Sequence, residues 1–172
     1  MLYGARAMDT RTRIPAPLEL HTEVVDPEWI DYNGHMNVAY YLLAFDHACD
    51  AFLDFIGLDE AYRARTGGTT FAAECHVTYQ HEVGAGDRLR FDTQLIDFDE
   101  KRIHYFQRMY HDADGFLAAT TEWMSLHVDS AARRVVPMPR EITDRLAAIA
   151  ETHRSLPRPS EAGRVIGVPE AE

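Results

Sequence analysis

The sequence predicts an α+β domain, in which one long helix lies across a curved antiparallel sheet of about five strands and a second helix follows. Three observations carry this. A helical stretch over 38–56 stands between one strand-like run and all the others. Four β-patterned runs then succeed one another with only turns between them. An amphipathic stretch over 140–153 comes last, with Ile142, Leu146, Ala147 and Ile149-Ala150 as its apolar positions. A helix inserted ahead of an antiparallel run is placed to cover the apolar face of that sheet. Open sheet edges favour association, so a homo-oligomer, at least a dimer, is expected.

The first strand, over 18–25, alternates apolar and polar residues through Leu18, Leu20 and Val24-Val25, and Asp26-Pro27 stops it. In the long helix Tyr41, Phe45, Ala48-Cys49, Phe52 and Ile56 recur at helical spacing, while Asp46, Asp50 and Asp54 form a solvated stripe. Asn37 suits its N-cap and Gly57 its C′ position. A short helix or turn is expected over 59–65. Further strands are expected over 69–82, 88–98, 102–111 and 116–128, parted by Gly84-Ala85-Gly86-Asp87, Asp99-Glu100 and Asp112-Ala113-Asp114-Gly115. Leu89, Phe91, Thr93 and Leu95 share one face of their strand, as do Ile103, Tyr105, Gln107 and Met109 of the next. The domain spans 18–154, between an N-terminal extension (1–17) and a Pro-, Gly- and charge-rich tail (155–172) expected to be loose.

With 172 residues and a formal net charge of −11, the chain is an ordinary acidic globular domain, which argues against a nucleic-acid binder or a polybasic membrane-surface protein. The two cysteines, Cys49 and Cys75, form no metal-like spacing, and residues 1–17 contain no apolar run. A cytoplasmic protein without membrane segments is expected. Nine histidines raise the question of a metal, with His76 and His81, or His104 and His111, as pairs that a sheet could bring together. No HExxH or Cys/His cluster supports it, so neither a metal nor a cofactor is expected.

The chemistry concentrates in Asp31-Tyr32-Asn33-Gly34-His35-Met36-Asn37, immediately before the long helix. A helix N-terminus offers unpaired N–H groups and favours negative charge, which suits a reaction that develops an oxyanion. The plainer account is that Asp31 and Asn33 form an Asx-turn and Asn37 only caps the helix.

These residues resemble the hotdog-fold acyl-CoA thioesterases of the 4-hydroxybenzoyl-CoA thioesterase family. The resemblance runs from about Leu18 to Asp129 and includes Val77-Thr78-Tyr79, Gly86-Asp87-Arg88-Leu89 and Asp114-Gly115-Phe116-Leu117-Ala118. It implies a hotdog fold and an acyl-CoA substrate, with Asp31 as the catalytic carboxylate, acting as nucleophile or as general base to water. It gives Asn33 and His35 supporting catalytic roles. A thioester hydrolysis also needs an oxyanion site, for which the backbone N–H groups of Gly34, Val38, Ala39 or Tyr40 near the helix start are the candidates. Within the family, Trp29-Ile30-Asp31-Tyr32-Asn33-Gly34-His35-Met36 and Asp99-Glu100-Lys101-Arg102 are similar to the betainyl-CoA thioesterase branch associated with L-carnitine dehydrogenase. A betainyl group would need aromatic faces and a carboxylate around its quaternary ammonium. Trp29, Tyr32, Phe71, Tyr79 and Trp123 are the candidate aromatics and Glu74 the candidate carboxylate. CoA phosphates would draw on Arg88, Arg90, Lys101, Arg102, Arg133 or Arg134. The competing readings are an aryl or straight-chain thioesterase, an acyl-CoA hydratase on the same fold, and a non-catalytic acyl-CoA-binding protein.

Overall fold

The computed structural model describes residues 14–168. The chain runs through β1 (Leu18–Val24), a 3-10 turn (Pro27–Trp29), α1 (Val38–Ile56), α2 (Glu60–Thr66), β2 (Gly68–Tyr79), β3 (Arg88–Phe98), β4 (Arg102–His111), β5 (Leu117–Asp129), β6 (Arg134–Val135) and α3 (Arg140–His153). The strands form one antiparallel sheet in the order β1-β3-β4-β5-β2, with the two-residue β6 added to β5. The fold class, the strand-rich segment and both main helices agree with expectation. The neighbour of β2 does not follow chain order: it pairs with β5 across the sheet and leaves its other edge open. The residues between β2 and β3 carry the chain past the other strands rather than back as a hairpin.

α1 forms because its ends are satisfied and its apolar stripe has a sheet to cover. The Asn37 side chain accepts the Ala39 N–H, and Gly57 ends the helix in the left-handed region, at φ +91°. Tyr41, Ala44, Phe45, Ala48, Cys49, Phe52 and Ile56 are buried. They meet Leu89, Phe91 and Leu95 of β3, Ile103, Tyr105 and Met109 of β4, and Trp123 of β5 in one core. At its centre is a buried polar hub. Gln107 Oε1 accepts from Trp123 Nε1 at 3.0 Å and from the Cys49 thiol at 3.3 Å, and its amide donates to Thr93 Oγ1 at 3.2 Å. α3 adds Ile142, Leu146 and Ile149 to this core.

Two expectations change. β1 carries an irregularity: Leu18 pairs with Thr93 but His21 with Phe91, so β1 has one residue more than β3 in this interval. An extra residue turns the following side chains to the opposite face. Leu18 and Val25 are therefore buried, whereas Val24 is exposed and Leu20 only partly buried. The beginning of the tail expected to be loose, at least to Gly163, is bonded to the outer face of the sheet. Pro157 O accepts from Gln94 Nε2 at 3.1 Å, and Gly163 N–H donates to Glu122 Oε2 at 2.7 Å. Gln94, Phe106 and Glu122 stand in one row across β3, β4 and β5, and Phe106 is buried there. Of the proposed N-terminal extension, residues 1–13 lie outside the described residues.

Candidate active site

The segment before α1 is a closed turn. Ile30 and Met36 bridge, Asp31 N–H donates to His35 O at 3.1 Å, and Gly34 N–H donates to Asp31 O at 3.0 Å. Gly34 lies at φ +86°, a conformation that this turn requires and that a β-carbon would strain. One carboxylate oxygen of Asp31 accepts the Asn33 N–H at 2.7 Å, the expected Asx-turn. Met36 N–H then donates to Val83 O at 2.8 Å, and Asn37 N–H to Trp29 O at 2.9 Å. These bonds seat the turn against the segment that leaves β2.

Between the turn, the start of α1 and the end of β2 lies an open cavity of about 470 Å³. Asp31, Tyr32, Asn33, His35, Asn37, Val38 and Tyr79 all line it, so the turn residues proposed from sequence converge on one cleft. Tyr41, Gln80, His81 and Glu82 join them, none of which the sequence placed with the turn. Tyr41 read as core because of its helical spacing, and residues 80–82 read as the end of a strand that in fact stops at Tyr79. The rings of Tyr41 and Tyr79 meet edge to face, 5.3 Å apart at 87°. Tyr41 Oη donates to His81 O at 3.4 Å and Tyr79 Oη to Val38 O at 3.3 Å. Burial raises the pKa of both phenols, so both remain neutral donors. His35 Nε2 stands 3.9 Å from Glu82 Oε2.

The candidate oxyanion donors separate clearly. Gly34 N–H is used by Asp31 O, Ala39 N–H by the Asn37 side chain, and Tyr40 N–H by Asn37 O. Among the described residues, the Val38 N–H alone of these four takes no acceptor, and Val38 lines the cavity. The remaining substrate-binding candidates lie elsewhere in the chain. Trp29 stacks on Tyr40 at 5.4 Å and 9°. Trp123 is in the core, its Nε1 bonded to Gln107 and Thr121, so it cannot face a ligand in this cleft. Phe71 and Glu74 are exposed on β2, outside the cavity lining. Among the basic candidates, Arg88 pairs with Asp112, Arg90 with Glu19 and Asp112, Lys101 with Glu100, and Arg102 with Asp99. Arg133, on the turn into β6, and Arg134, the first residue of that strand, are exposed and have no carboxylate partner among the described residues.

The cysteines offer no competing nucleophile. Burial pushes the Cys75 thiol up to about 11 and the Cys49 thiol higher still, so neither is a thiolate near neutrality. Of the histidines weighed as metal pairs from the sequence, His81, His104 and His111 have other partners. His104 Nε2 meets Glu122 at 2.7 Å, His111 meets Asp87 and Asp114, and His81 Nδ1 donates to Leu117 O.

A helix start with a free N–H, beside a carboxylate in a cleft on a helix-covered antiparallel sheet, is an arrangement suited to acyl transfer. Comparison with known proteins agrees. The sequence profile of the Thioesterase-like superfamily matches residues 25–146, and the chain belongs to that family; it is a hotdog-fold thioester hydrolase. A betainyl-CoA thioesterase of Pseudomonas aeruginosa is 45% identical over 143 residues, 83% of this chain and 90% of that protein. The L-carnitine dehydrogenase/betainyl-CoA thioesterase of Rhizobium meliloti is 42% identical over 88% of this chain, which spans only 30% of that longer protein. Among solved structures, a Staphylococcus aureus protein in complex with CoA superposes with a TM-score of 0.83 at 29% identity, covering 92% of this chain and 100% of that one. A thioesterase-like protein of Pseudomonas putida gives a TM-score of 0.78 at 32% identity, covering 90% and 99%. No helix among the described residues is long and apolar enough to cross a membrane.

Proposed function

We propose that this chain hydrolyses betainyl-CoA to glycine betaine and CoA in the breakdown of carnitine, and that Asp31 is the catalytic carboxylate. The observation that carries the reading is the pairing of Asp31 with the unpartnered Val38 N–H on one cavity. The 45% identity to a protein named for that substrate supports the choice of acyl group. The thioester carbonyl sits with its oxygen toward the Val38 N–H, where the first turn of α1 favours developing negative charge. Asp31 then attacks the carbonyl carbon, or takes a proton from water that does. In either case the carbon–sulfur bond breaks and CoA leaves as a thiolate; on the first route the acyl group is left on Asp31 as a mixed anhydride, which a water then hydrolyses to free the acid and restore the carboxylate. Asn33 and His35 flank the carboxylate and position the water and the acyl group.

The trimethylammonium head is held by the cleft aromatics rather than by the core. Half-exposed Tyr79 offers its ring face, braced edge to face by the buried Tyr41; Tyr32 stands at the rim, and Glu82 supplies the negative charge that Glu74 was expected to provide. The chain works in the cytoplasm as a homo-oligomer, joined through the open edge of β2. A two-fold antiparallel pairing there would bring one protomer's Phe71 and Glu74 toward the cavity end of its partner's β2. This gives those two residues, and the exposed Arg133 and Arg134, a place at the site that a single chain does not provide.

Thiol release from betainyl-, aryl- and straight-chain acyl-CoAs, by wild type and Asp31→Asn, tests the reading. Betainyl-CoA should be turned over with the highest kcat/KM, and the variant should lose most turnover while still binding. Wild-type kcat in the variant would refute the role of Asp31. Release from none of the thioesters would favour a binding protein.

A further inference from the structure

A second cluster of ligating side chains lies away from the cavity, between β1 and the middle of α1. His47 Nδ1 is 2.9 Å and 3.1 Å from the two carboxylate oxygens of Glu23, and His21 Nε2 is 3.4 Å from Glu23 Oε2. One donor atom from each residue lies within 4.8 Å of both others. Among the described residues, this is the one group of three or more such side chains gathered so closely.

Its position follows from the irregularity in β1. Without the extra residue between Leu18 and His21, a strand whose Leu18 faces the core would turn His21 and Glu23 outward. With it, Leu18, His21, Glu23 and Val25 share the helix side, and His21 packs on Phe91 at 5.2 Å between ring centres. From the helix, His47 meets them next to the buried Ala48. Side-chain exposures of 24%, 17% and 39% for His21, Glu23 and His47 leave a path for an ion and room for water ligands.

We propose that His21, Glu23 and His47 form a structural site for a divalent transition metal of the zinc type, which clips β1 to α1. Two imidazole nitrogens and a carboxylate make a donor set that suits Zn²⁺, with water completing a tetrahedron. Ligands about 2.0–2.2 Å from a tetrahedral ion lie roughly 3.3–3.6 Å from one another. The two contacts to Glu23 are already near that spacing, so only the imidazoles must draw together. Asp46 and Asp50, exposed on the same helix, add negative charge that favours a dication. The site is separate from the chemistry: His47 is nine residues beyond Val38, about 13 Å along the helix axis. Its effect is mechanical. β1 has a single strand neighbour, β3, and α1 begins at the catalytic turn, so a metal would join an edge strand to the helix that carries the site.

The test uses the full chain, freed of metal by a chelator and then dialysed. Titration with Zn²⁺ by calorimetry should give one ion per chain, and Co²⁺ should develop the visible absorption of a tetrahedral centre. Zn²⁺ at about a hundredfold its Kd should raise Tm by roughly 5–10 °C. Glu23→Gln and His47→Gln should each weaken Zn²⁺ binding at least tenfold and abolish the Co²⁺ band. Their folding is verified by retained thiol release, because neither residue lines the cavity; His21→Gln replaces either one if it does not fold. Absence of Zn²⁺ binding would overturn the site, and so would equal affinity in wild type and variants, which would mark adventitious binding to other histidines.

Discussion

His153 ties the last turn of α3 to the sheet, and its replacement should remove a pH-dependent part of the stability. Its ring is buried, Nδ1 accepts the Leu95 N–H at 2.9 Å, and Nε2–H donates to Pro15 O at 3.2 Å. Only the neutral ring can make the first of these bonds. Burial holds the pKa below the ordinary histidine value. The Leu95 N–H acts in the same direction, since it occupies the lone pair that a proton would need, whereas the bond to Pro15 O acts against it. As pH falls through about 6.5, the unfolded chain gains a proton that the folded chain refuses. The contact therefore stabilises fully above that pH and progressively less below it. The limiting slope is about 1.4 kcal/mol per pH unit, so at most about 2 kcal/mol is lost between roughly pH 6.5 and pH 5. His153→Phe keeps a ring but leaves a buried N–H unpaired, at a cost of about 1–3 kcal/mol near pH 7.5. Urea denaturation of both proteins across pH 5–8 isolates the effect, because the other histidines are common to both. The stability gap should narrow toward pH 5. A gap that stays constant, or widens, would show that His153 is not held neutral.

Other substitutions probe different parts of the structure. A β-carbon at Gly68 would stand 2.7 Å from Tyr62 Oη and 2.9 Å from His127 Nε2, atoms that are bonded to each other at 2.9 Å. Gly68→Ala should therefore cost about 1–3 kcal/mol, seen as a lower Tm. Gln107→Leu removes the acceptor shared by Trp123 and Cys49 and the donor to Thr93. It should cost about 1–3 kcal/mol in chemical denaturation. At the cavity, Tyr79→Leu should lower the preference for betainyl-CoA over its uncharged tert-butyl isostere by about 2–5-fold in kcat/KM, the range for a half-exposed cation–π contact. Glu82→Gln should reduce kcat/KM for the cationic substrate more than for the isostere. Equal loss on both substrates would remove these residues from cation recognition.

Much of the fold was legible because its signals are local. Asn37 and Gly57 bound α1 where capping chemistry requires, and the alternating faces of β3 and β4 are the buried ones. Strand order was not legible. The β2–β5 pairing joins residues about 60 positions apart at the Gly68 end, and no turn signal encodes it. The extra residue in β1 was equally hidden: alternation through Leu20 and Val24 reads well, yet one inserted residue exchanges the faces and gathers His21 and Glu23 under the helix. The site divides in the same way. Residues 31–38 are consecutive and were read together, whereas Tyr41 and Glu82 meet only because the start of α1 lies beside the end of β2. Trp123 shows the opposite failure, since a large aromatic with a polar N–H suits a pocket and a core equally, and here Gln107 satisfies it inside.

The plain account of the turn and the catalytic one are not alternatives, and this makes Asp31 a clean target. The Asx-turn engages one carboxylate oxygen and fixes the side chain; the other oxygen has no partner among the described residues. The Asn37 cap takes the Ala39 N–H and leaves that of Val38 open, so capping selects which donor remains for an oxyanion. Asparagine at position 31 keeps an oxygen to accept the Asn33 N–H but loses the charge that the proposed role, as nucleophile or as base, requires. Asp31→Asn should hold its Tm and lose turnover. Asp31→Ala loses the bond as well and should fall in stability by about 0.5–1.5 kcal/mol. If both variants lost stability equally and kept equal activity, the turn would be structural only, and the carboxylate would have to be sought elsewhere on the cleft, with Glu82 the next to test.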